Sequence, residues 1–211
     1  MHTSARSFRA VGFTLIELLI VISIIAILMG LLFPAFKGVQ DQAKRTQAKN
    51  DLTQIVTAVN AYYTEYGKYP VATDDTPITN NSDLFYTLRA VALGANAGSV
   101  ANTRQIVFIS PPDVKDTTNP RSGIGTDGKY YDPWGTPYIV TIDGNYDNQI
   151  ANPYLDSDGS AGAAQLRSGV IAYSFGKNGA LGGGAAASSK YGPESGTVGK
   201  YKDSSDVISW Q

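Results

Sequence analysis

The chain has 211 residues, of which 43% are hydrophobic, a proportion typical of a folded protein. Its 17 basic and 18 acidic side chains nearly cancel and form no basic block, which argues against a nucleic-acid partner. The absence of cysteine excludes disulfides, thiolate nucleophiles and sulfur-ligated metals. The only histidine, His2, lies at the N-terminus, which leaves little scope for acid–base or zinc chemistry.

The first predicted element is a long helix that begins in an apolar segment. Residues 18–36 carry no charge, and these 19 residues come close to the roughly 20 that a helix needs to cross a bilayer. Arg6 and Arg9 precede the segment without a balancing acid, so the positive-inside rule predicts a cytoplasmic N-terminus and an extracytoplasmic remainder. A removable secretory signal is the weaker interpretation, because its apolar region is only about 7 to 15 residues long.

The helix is predicted to continue past residue 36 with one apolar face. Residues at three- and four-residue spacings should pack against the rest of the protein: Leu52, Ile55, Val56, Val59, Tyr62, Tyr63 and Tyr66. Pro34, near Gly30, predicts a kink, because proline removes one backbone hydrogen bond. Gly67, followed by Tyr69 and Pro70, predicts the end of a helix of roughly 54 residues, about 80 Å long.

One acidic residue, Glu17, lies directly before the charge-free run. An ionised carboxylate that enters an apolar phase costs on the order of a few kcal/mol unless a cation meets it. An acid at the edge of a span can also lie in the membrane interface, where it needs no partner. The charge pattern alone leaves both interpretations open.

Residues 12–17 read G-F-T-L-I-E and follow a short leader that contains Arg6 and Arg9. This arrangement closely resembles the prepilin signature of type IV pilins and type II secretion pseudopilins. The resemblance implies that a prepilin peptidase cleaves after Gly12 and methylates Phe13, the new N-terminal residue. It also implies that Glu17 pairs with the terminal amine of a neighbouring subunit, an attraction of roughly 4 kcal/mol at about 4 Å and an effective dielectric constant of about 20.

Beyond the helix, the composition shifts to Gly, Asn, Asp, Ser and Tyr, which is typical of short elements joined by turns. A short amphipathic helix is predicted over residues 82–94, with Ser82 as its N-cap and Gly94 at its end. Strands are predicted at residues 105–109, 137–142, 170–175 and 206–210. The resulting fold class is α+β, a pilin-like fold with a long N-terminal helix packed on a small antiparallel sheet.

Three further strings are similar to the major pseudopilin of type II secretion systems. They are Tyr62-Tyr63 with G-K-Y-P at 67–70, D-P-W-G-T-P-Y at 132–138, and Y-S-F-G at 173–176 with the closing D-V-I-S-W at 206–210. The implied domains are a leader (1–12), a transmembrane and polymerisation helix (13–36), an amphipathic helix (37–69) and a periplasmic head (70–211). The segment 71–110 is longer than the resemblance predicts. Trp134 and Trp210 are expected to pack within the head.

In the family that the chain resembles, the loop between the last strands binds calcium through oxygen ligands. The resemblance implies a calcium site at Asp206, Asn178 and Asp203. Asn178 stands where the family usually has aspartate, and a Gly-, Ala- and Ser-rich insertion occupies 182–202. The alternative is that Asn178 begins a turn and the aspartates are solvated.

A separate acidic cluster resembles an EF-hand only superficially. It comprises Asp143, Asn145, Asp147, Asp156 and Asp158. Neither half has a glycine at the sixth position together with a glutamate at the twelfth. Turn formation is therefore the preferred interpretation.

The function that this pattern favours is a non-enzymatic structural subunit, the major pseudopilin of a type II secretion system, which forms a homopolymer through its N-terminal helix. The implied partners are the lipid bilayer, prepilin peptidase, minor pseudopilins and an inner-membrane assembly platform. No G-x-x-x-x-G-K-[ST] loop is present, so a separate ATPase would supply energy. The alternatives are a type IV pilin for adhesion, motility or DNA uptake, and a membrane-tethered binding module or enzyme, which the lack of a nucleophile–base pair disfavours.

Overall fold

The computed structural model describes residues 13–71, 74–154, 160–183, 199–202 and 204–211, without the side chains of residues 31–35. The leader, with its predicted cleavage residue Gly12, lies outside the described residues. The chain divides into two compact units, Met1–Gln42 and Ala43–Gln211. The leader, membrane and head boundaries given above remain predictions.

Helix α1 spans Leu15–Tyr66, which confirms the single long helix. It ends where Gly67 adopts a left-handed φ of 66° and donates its N–H to the carbonyl of Tyr63 at 2.8 Å, as expected for a glycine C-cap. The helix continues through Pro34, whose side chain is not described, so the kink there remains a prediction. Within the described part of the chain, no helix combines the length and the apolarity that crossing a membrane requires.

In the second unit, one face of α1 forms part of the core. Its buried residues are Ala48, Leu52, Ile55, Ala58, Val59 and Tyr62, with Val56 and Tyr66 half-buried beside them. Tyr63 was predicted to lie on this face but is 38% exposed, and its ring stacks on Tyr69 with centroids 4.5 Å apart. One residue along a helix rotates a side chain by about 100°, which carries Tyr63 off the face that Tyr62 occupies.

Helix α2 spans Ser82–Leu88 and therefore ends six residues before the predicted Gly94, where a 3-10 segment, Gly94–Ser99, begins. Its N-cap is Asn81, not the predicted Ser82, and the Asn81 side chain makes no capping bond. That side chain is buried and bonds instead to the backbone of two other segments, accepting from Tyr130 N at 3.0 Å and donating to Tyr138 O at 2.7 Å.

The predicted strand at 105–109 is wrong. Gln105 has a left-handed φ of 53°, which breaks an extended conformation. The buried carboxamide of Asn102 binds both Ile106 N and Ile106 O, at 3.0 and 2.7 Å, in place of a strand partner. Phe108 N bonds to Leu88 O at 2.8 Å, so this segment packs on α2.

The central antiparallel sheet contains β3 (Ile139–Ile142), β6 (Val170–Ser174) and β7 (Val207–Ile208), with β6 in the middle. These strands confirm three of the predicted strands, with shorter bounds. Two small ribbons pair β1 (Gly123–Ile124) with β2 (Tyr130–Tyr131) and β4 (Ile150–Ala151) with β5 (Gln165–Leu166). The predicted α+β fold class is confirmed.

Both faces of the central sheet are buried. Val140, Ala172 and Val207 lie in the cluster that contains the buried residues of α1 and α2, whereas Ile139, Tyr173 and Ile208 lie in a second cluster. This division follows from the two-residue period of a strand. Trp134 packs against the first cluster and Trp210 against the second, as predicted.

Candidate functional site

The start of α1 is organised by Thr14 and Glu17. Thr14 N donates to Glu17 Oε2 at 2.8 Å, and Thr14 Oγ1 donates to the same oxygen at 2.6 Å. Glu17 N donates to Thr14 Oγ1 at 3.3 Å. Thr14 is therefore the N-cap and Glu17 the third helical residue of a capping box, in which each side chain satisfies the other's backbone N–H. The pattern T-x-x-E was visible in the sequence, although Thr14 was not singled out there.

The same end of α1 presents a continuous apolar surface. From Phe13 to Met29, the large apolar residues are 45% to 88% exposed, and Phe13 itself is 75% exposed. A contiguous exposed apolar surface of this kind marks contact with lipid or with another protein chain. The carboxylate of Glu17 lies within hydrogen-bonding distance of the residue next to Phe13. Its pairing with a second subunit remains a prediction.

At the other end of the chain, the loop after β6 brings two predicted ligand residues together. Asn178 Nδ2 donates to Gly182 O at 2.8 Å, and Gly182 N donates to Asp206 Oδ2 at 2.8 Å. Asn178 and Asp206 are both buried, and Tyr154 OH also donates to Asp206 Oδ2 at 2.8 Å. The third predicted ligand, Asp203, lies outside the described residues, as does much of the insertion at 182–202.

The loop begins with a tight turn that glycine permits. Gly176 has a φ of 62° and approaches Ser205 so closely that an added Cβ would lie 2.4 Å from its carbonyl oxygen. Ser205 Oγ accepts from Lys177 N at 2.9 Å and donates to Asn178 Oδ1 at 3.2 Å. The turn that the alternative interpretation expects at Asn178 is thus present, whereas Asp206, which that interpretation expects to be solvated, is buried.

The oxygen chemistry of this loop suits a hard cation, with a carboxylate, a carboxamide, a hydroxyl and a carbonyl close to one another. Among the residues that the structure describes, however, no group of three His, Cys, Asp or Glu side chains could hold a metal ion. A site built on Asp206 with neutral oxygens would carry low charge. Calcium affinity depends on the charge and the rigidity of the ligand set, so a single carboxylate would give weak binding.

Asp132 organises the turn that follows β2, and its role was missed in the sequence. Its Oδ1 accepts the N–H groups of Trp134, Gly135 and Thr136 at 2.9, 2.8 and 2.9 Å, and its Oδ2 accepts from Ser174 Oγ at 2.5 Å. Burial raises the pKa of Asp132 to about 6, against the lowering effect of these hydrogen bonds. The string D-P-x-G carried the signal, since aspartate before a proline-glycine turn commonly accepts such bonds.

Asp51 joins α1 to the sheet through a second buried carboxylate. Its Oδ2 accepts from Tyr138 OH at 2.8 Å. Burial raises the pKa of Asp51, and the tyrosine hydrogen bonds oppose that shift. Burial, together with the neighbouring Asp51 charge, also raises the pKa of Tyr138.

The acidic cluster at 143–147 forms turns, as predicted. Asn145 Oδ1 accepts from Asp147 N and Asp143 Oδ2 accepts from Asn148 N, each at 2.8 Å. These carboxylates and amides thus support the backbone of their own loop. Asp156 and Asp158 lie outside the described residues.

A long helix with an exposed apolar first half, a capped glutamate at its start and a head of small antiparallel sheets together define a pilin-like protein. The family model for the prokaryotic N-terminal methylation motif matches residues 12–33. Fimbrial protein EcpC of Eikenella corrodens is 31% identical over 121 residues, which cover 56% of this chain and 78% of EcpC. The chain therefore belongs to the type IV pilin-like family.

Two other relatives are named for different assemblies within this family. Type II secretion system core protein G of Aeromonas hydrophila is 25% identical over 159 residues, which cover 73% of this chain and 87% of that protein. Type IV major pilin protein PilA of Myxococcus xanthus (strain DK1622) is 39% identical over 69 residues, which cover 33% of this chain. The chain spans only 31% of the length of that pilin. No solved structure matches the chain.

Proposed function

We propose that the chain is a non-enzymatic structural subunit that polymerises through α1 into a periplasmic pseudopilus, as the major pseudopilin of a type II secretion system. The observation that carries this proposal is the continuous exposed apolar surface from Phe13 to Met29 on a capped helix. Such a surface is unfavourable in water and is buried when helices bundle into a filament core. The length of the core protein G alignment favours the secretion assembly.

The proposed topology places residues 13–36 in the inner membrane before assembly, with the N-terminus cytoplasmic and the head periplasmic. The charge-free run at 18–36 and the arginines of the leader support this orientation. The proposed partners are the bilayer, prepilin peptidase, minor pseudopilins and the inner-membrane assembly platform. The matching methylation motif supports the peptidase in particular.

Deletion of the encoding gene in the native host tests the assignment to secretion. A pseudopilin deletion should leave exported proteins trapped in the periplasm, and re-expression of the chain should restore their release. Normal release from the deletion strain would contradict the assignment.

A surface pilus is the second candidate, favoured by the matches to PilA and to EcpC. Electron microscopy of the same deletion strain separates the two functions. Loss of surface fibres with intact protein release would establish the pilus, because a pseudopilus acts within the envelope.

Proteolytic processing gives a test at the level of the protein. Wild-type chain recovered from the host should begin at Phe13 and carry one added methyl group, whereas Gly12→Ala should retain residues 1–12. Mass spectrometry of the N-terminal peptide distinguishes these forms, and Gly38→Ala serves as a control because added Cβ atoms meet nothing there. Normal processing of Gly12→Ala would contradict cleavage at this position.

We also propose that the C-terminal loop binds Ca²⁺ weakly, with Asp206 and Asn178 among its ligands and Asp203 as a further candidate. The convergence of Asn178 and Asp206 on Gly182 supports this proposal. Millimolar Ca²⁺ should raise the melting temperature of the detergent-solubilised chain, because a ligand that binds only the folded state stabilises it. Asp206→Asn should abolish the increase. An equal effect of Ca²⁺ on both proteins, or none on the wild type, would remove the site.

A further inference from the structure

The last eight residues, 204–211, form a segment that we name the C-terminal strap. It contains β7, which is two residues long and lies at the edge of the central sheet. On its inner side the strap pairs with β6, where Ser209 N donates to Ala172 O at 2.9 Å. A two-residue strand contributes few ladder hydrogen bonds, and an edge strand has no strand neighbour on its outer side.

Two cations on α1 bind carbonyl groups of the strap. Arg45 Nη2 donates to Ser204 O at 2.8 Å, and Lys49 Nζ donates to Ile208 O at 2.7 Å. Lys49 Nζ also donates to Gln211 O. Arg45 and Lys49 are four residues apart and so lie on one side of the helix, while their acceptors precede, lie within and follow β7. The helix thus holds the strap at three points.

These contacts differ from ordinary surface ion pairs. Both cations are half-buried, and their bonds to Ser204 and Ile208 reach backbone carbonyls rather than mobile side-chain carboxylates. Burial also lowers the pKa of Lys49. A hydrogen bond to a charged group is stronger than one between neutral groups, and loss of the cation would leave a partly buried carbonyl without its donor.

The strap in turn closes the loop that follows β6. Ser205 of the strap binds Lys177 N and Asn178 Oδ1, and Asp206 binds Gly182 N. Movement of the strap away from α1 would therefore withdraw the groups that order residues 177–182.

We propose that Arg45 and Lys49 form a cationic clamp through which helix α1 holds the C-terminal strap and thereby keeps the loop at 176–182 closed. The clamp couples the helix to a loop more than 120 residues away in sequence. Opening of the loop then requires release of the strap from these two side chains.

Hydrogen exchange of the full chain in detergent micelles, followed by mass spectrometry, tests this clamp. The variant Arg45→Met/Lys49→Met keeps an unbranched apolar stem at both positions and removes the charged group. Backbone amides of the strap and of residues 177–182 should exchange at least about tenfold faster, while those of β3 and α2 keep their protection. Lys44→Met is the matched control, since it removes a neighbouring charge whose side chain makes no hydrogen bond to the described part of the strap. It should leave exchange unchanged.

The charge-preserving variant Arg45→Lys/Lys49→Arg should retain most of the protection in the strap. The proposal is overturned if the double methionine variant exchanges like the wild type. It is equally overturned if exchange accelerates to the same extent throughout residues 43–211, because that result describes general loss of stability rather than release of the strap.

Discussion

Burial of an aspartate in the head makes the stability of the fold depend on pH. Asp132 is fully buried, and its two carboxylate oxygens accept four hydrogen bonds from the protein. Because its pKa in the folded state is about 6, above the usual 3.9 of an unfolded aspartate, the folded state binds the proton more tightly. Its contribution to stability is therefore fully present below about pH 4 and is lost as the pH rises to about 6.

Asp132→Asn should remove this pH dependence. The free energy of unfolding of the wild type minus that of the variant should fall by about 1 to 3 kcal/mol between pH 4 and pH 7, because the neutral carboxamide does not titrate. Urea unfolding of the detergent-solubilised chain across this range measures the difference.

Asp116→Asn provides a control of opposite sign. Hydrogen bonds from Thr118 and Asn119 lower the pKa of the exposed Asp116, so its contribution is present at neutral pH and is lost as the pH falls. The raised pKa of Asp132 would be contradicted if the difference in unfolding free energy between the wild type and Asp132→Asn stayed constant or rose with pH.

Tyr138→Phe tests the hydroxyl that links the sheet to Asp51 on α1. Removing it leaves a buried carboxylate without this donor and should lower the free energy of unfolding by about 1 to 3 kcal/mol. Tyr131→Phe is a matched control, since its hydroxyl also lies 2.8 Å from an aspartate oxygen, that of Asp127, but is exposed. Tyr131→Phe should lower the free energy of unfolding by less than about 0.5 kcal/mol. Equal losses of unfolding free energy in the two variants would show that burial does not strengthen the tyrosine–aspartate hydrogen bond.

At the residue scale, the sequence predicted roles that follow from local pattern and missed those that depend on distant contacts. Glu17 stood out because it is an acid beside a charge-free run. Asp132 and Asp51 did not, because their burial depends on Ser174 and Tyr138, which lie 42 and 87 residues away along the chain. No local spacing reports such contacts.

At the scale of the elements, α1 was predictable because a long periodic pattern and a glycine C-cap agree with each other. The ribbons β1–β2 and β4–β5 were not, because two residues are too few to display an alternating pattern. The apolar run at 105–109 predicted a strand, but Asn102 satisfies its backbone without a partner strand. A local side-chain contact, together with the hydrogen bond from Phe108 N to Leu88 O on α2, therefore overrode the strand propensity of this run.

Asn81 joins three elements and gives a test at this scale. Its carboxamide lies just before α2 and bonds to backbone groups at Tyr130 in β2 and at Tyr138 next to β3. Asn81→Ala should leave these buried groups without partners and cost about 2 to 4 kcal/mol of unfolding free energy. Chemical denaturation measures the loss.

The neighbouring Asn80→Ala serves as the control for Asn81. Asn80 is exposed, and its Oδ1 accepts from Ser82 Oγ at 3.2 Å. Its removal should change stability by less than about 0.5 kcal/mol. A similar loss in both variants would show that Asn81 has no special role in joining the elements.

At the scale of the whole molecule, one chain combines two compact units with different surfaces. The first presents exposed apolar residues along α1, whereas most large apolar residues that the structure describes in the second are buried, in three clusters. A protein with this distribution is stabilised when lipid or other subunits cover the apolar surface of the first unit. The proposed filament covers it with copies of the same helix.

Filament yield from Glu17→Val tests the proposed polymerisation through α1, because the proposed pairing of Glu17 with a neighbour's terminal amine sets the register of assembly. Filaments sheared from cells should be strongly reduced for Glu17→Val, with the amount of chain in the membrane unchanged. Asp41→Val, which removes another exposed acid from α1, should assemble normally. Wild-type yield and geometry of filaments from Glu17→Val would show that Glu17 does not set the register of assembly.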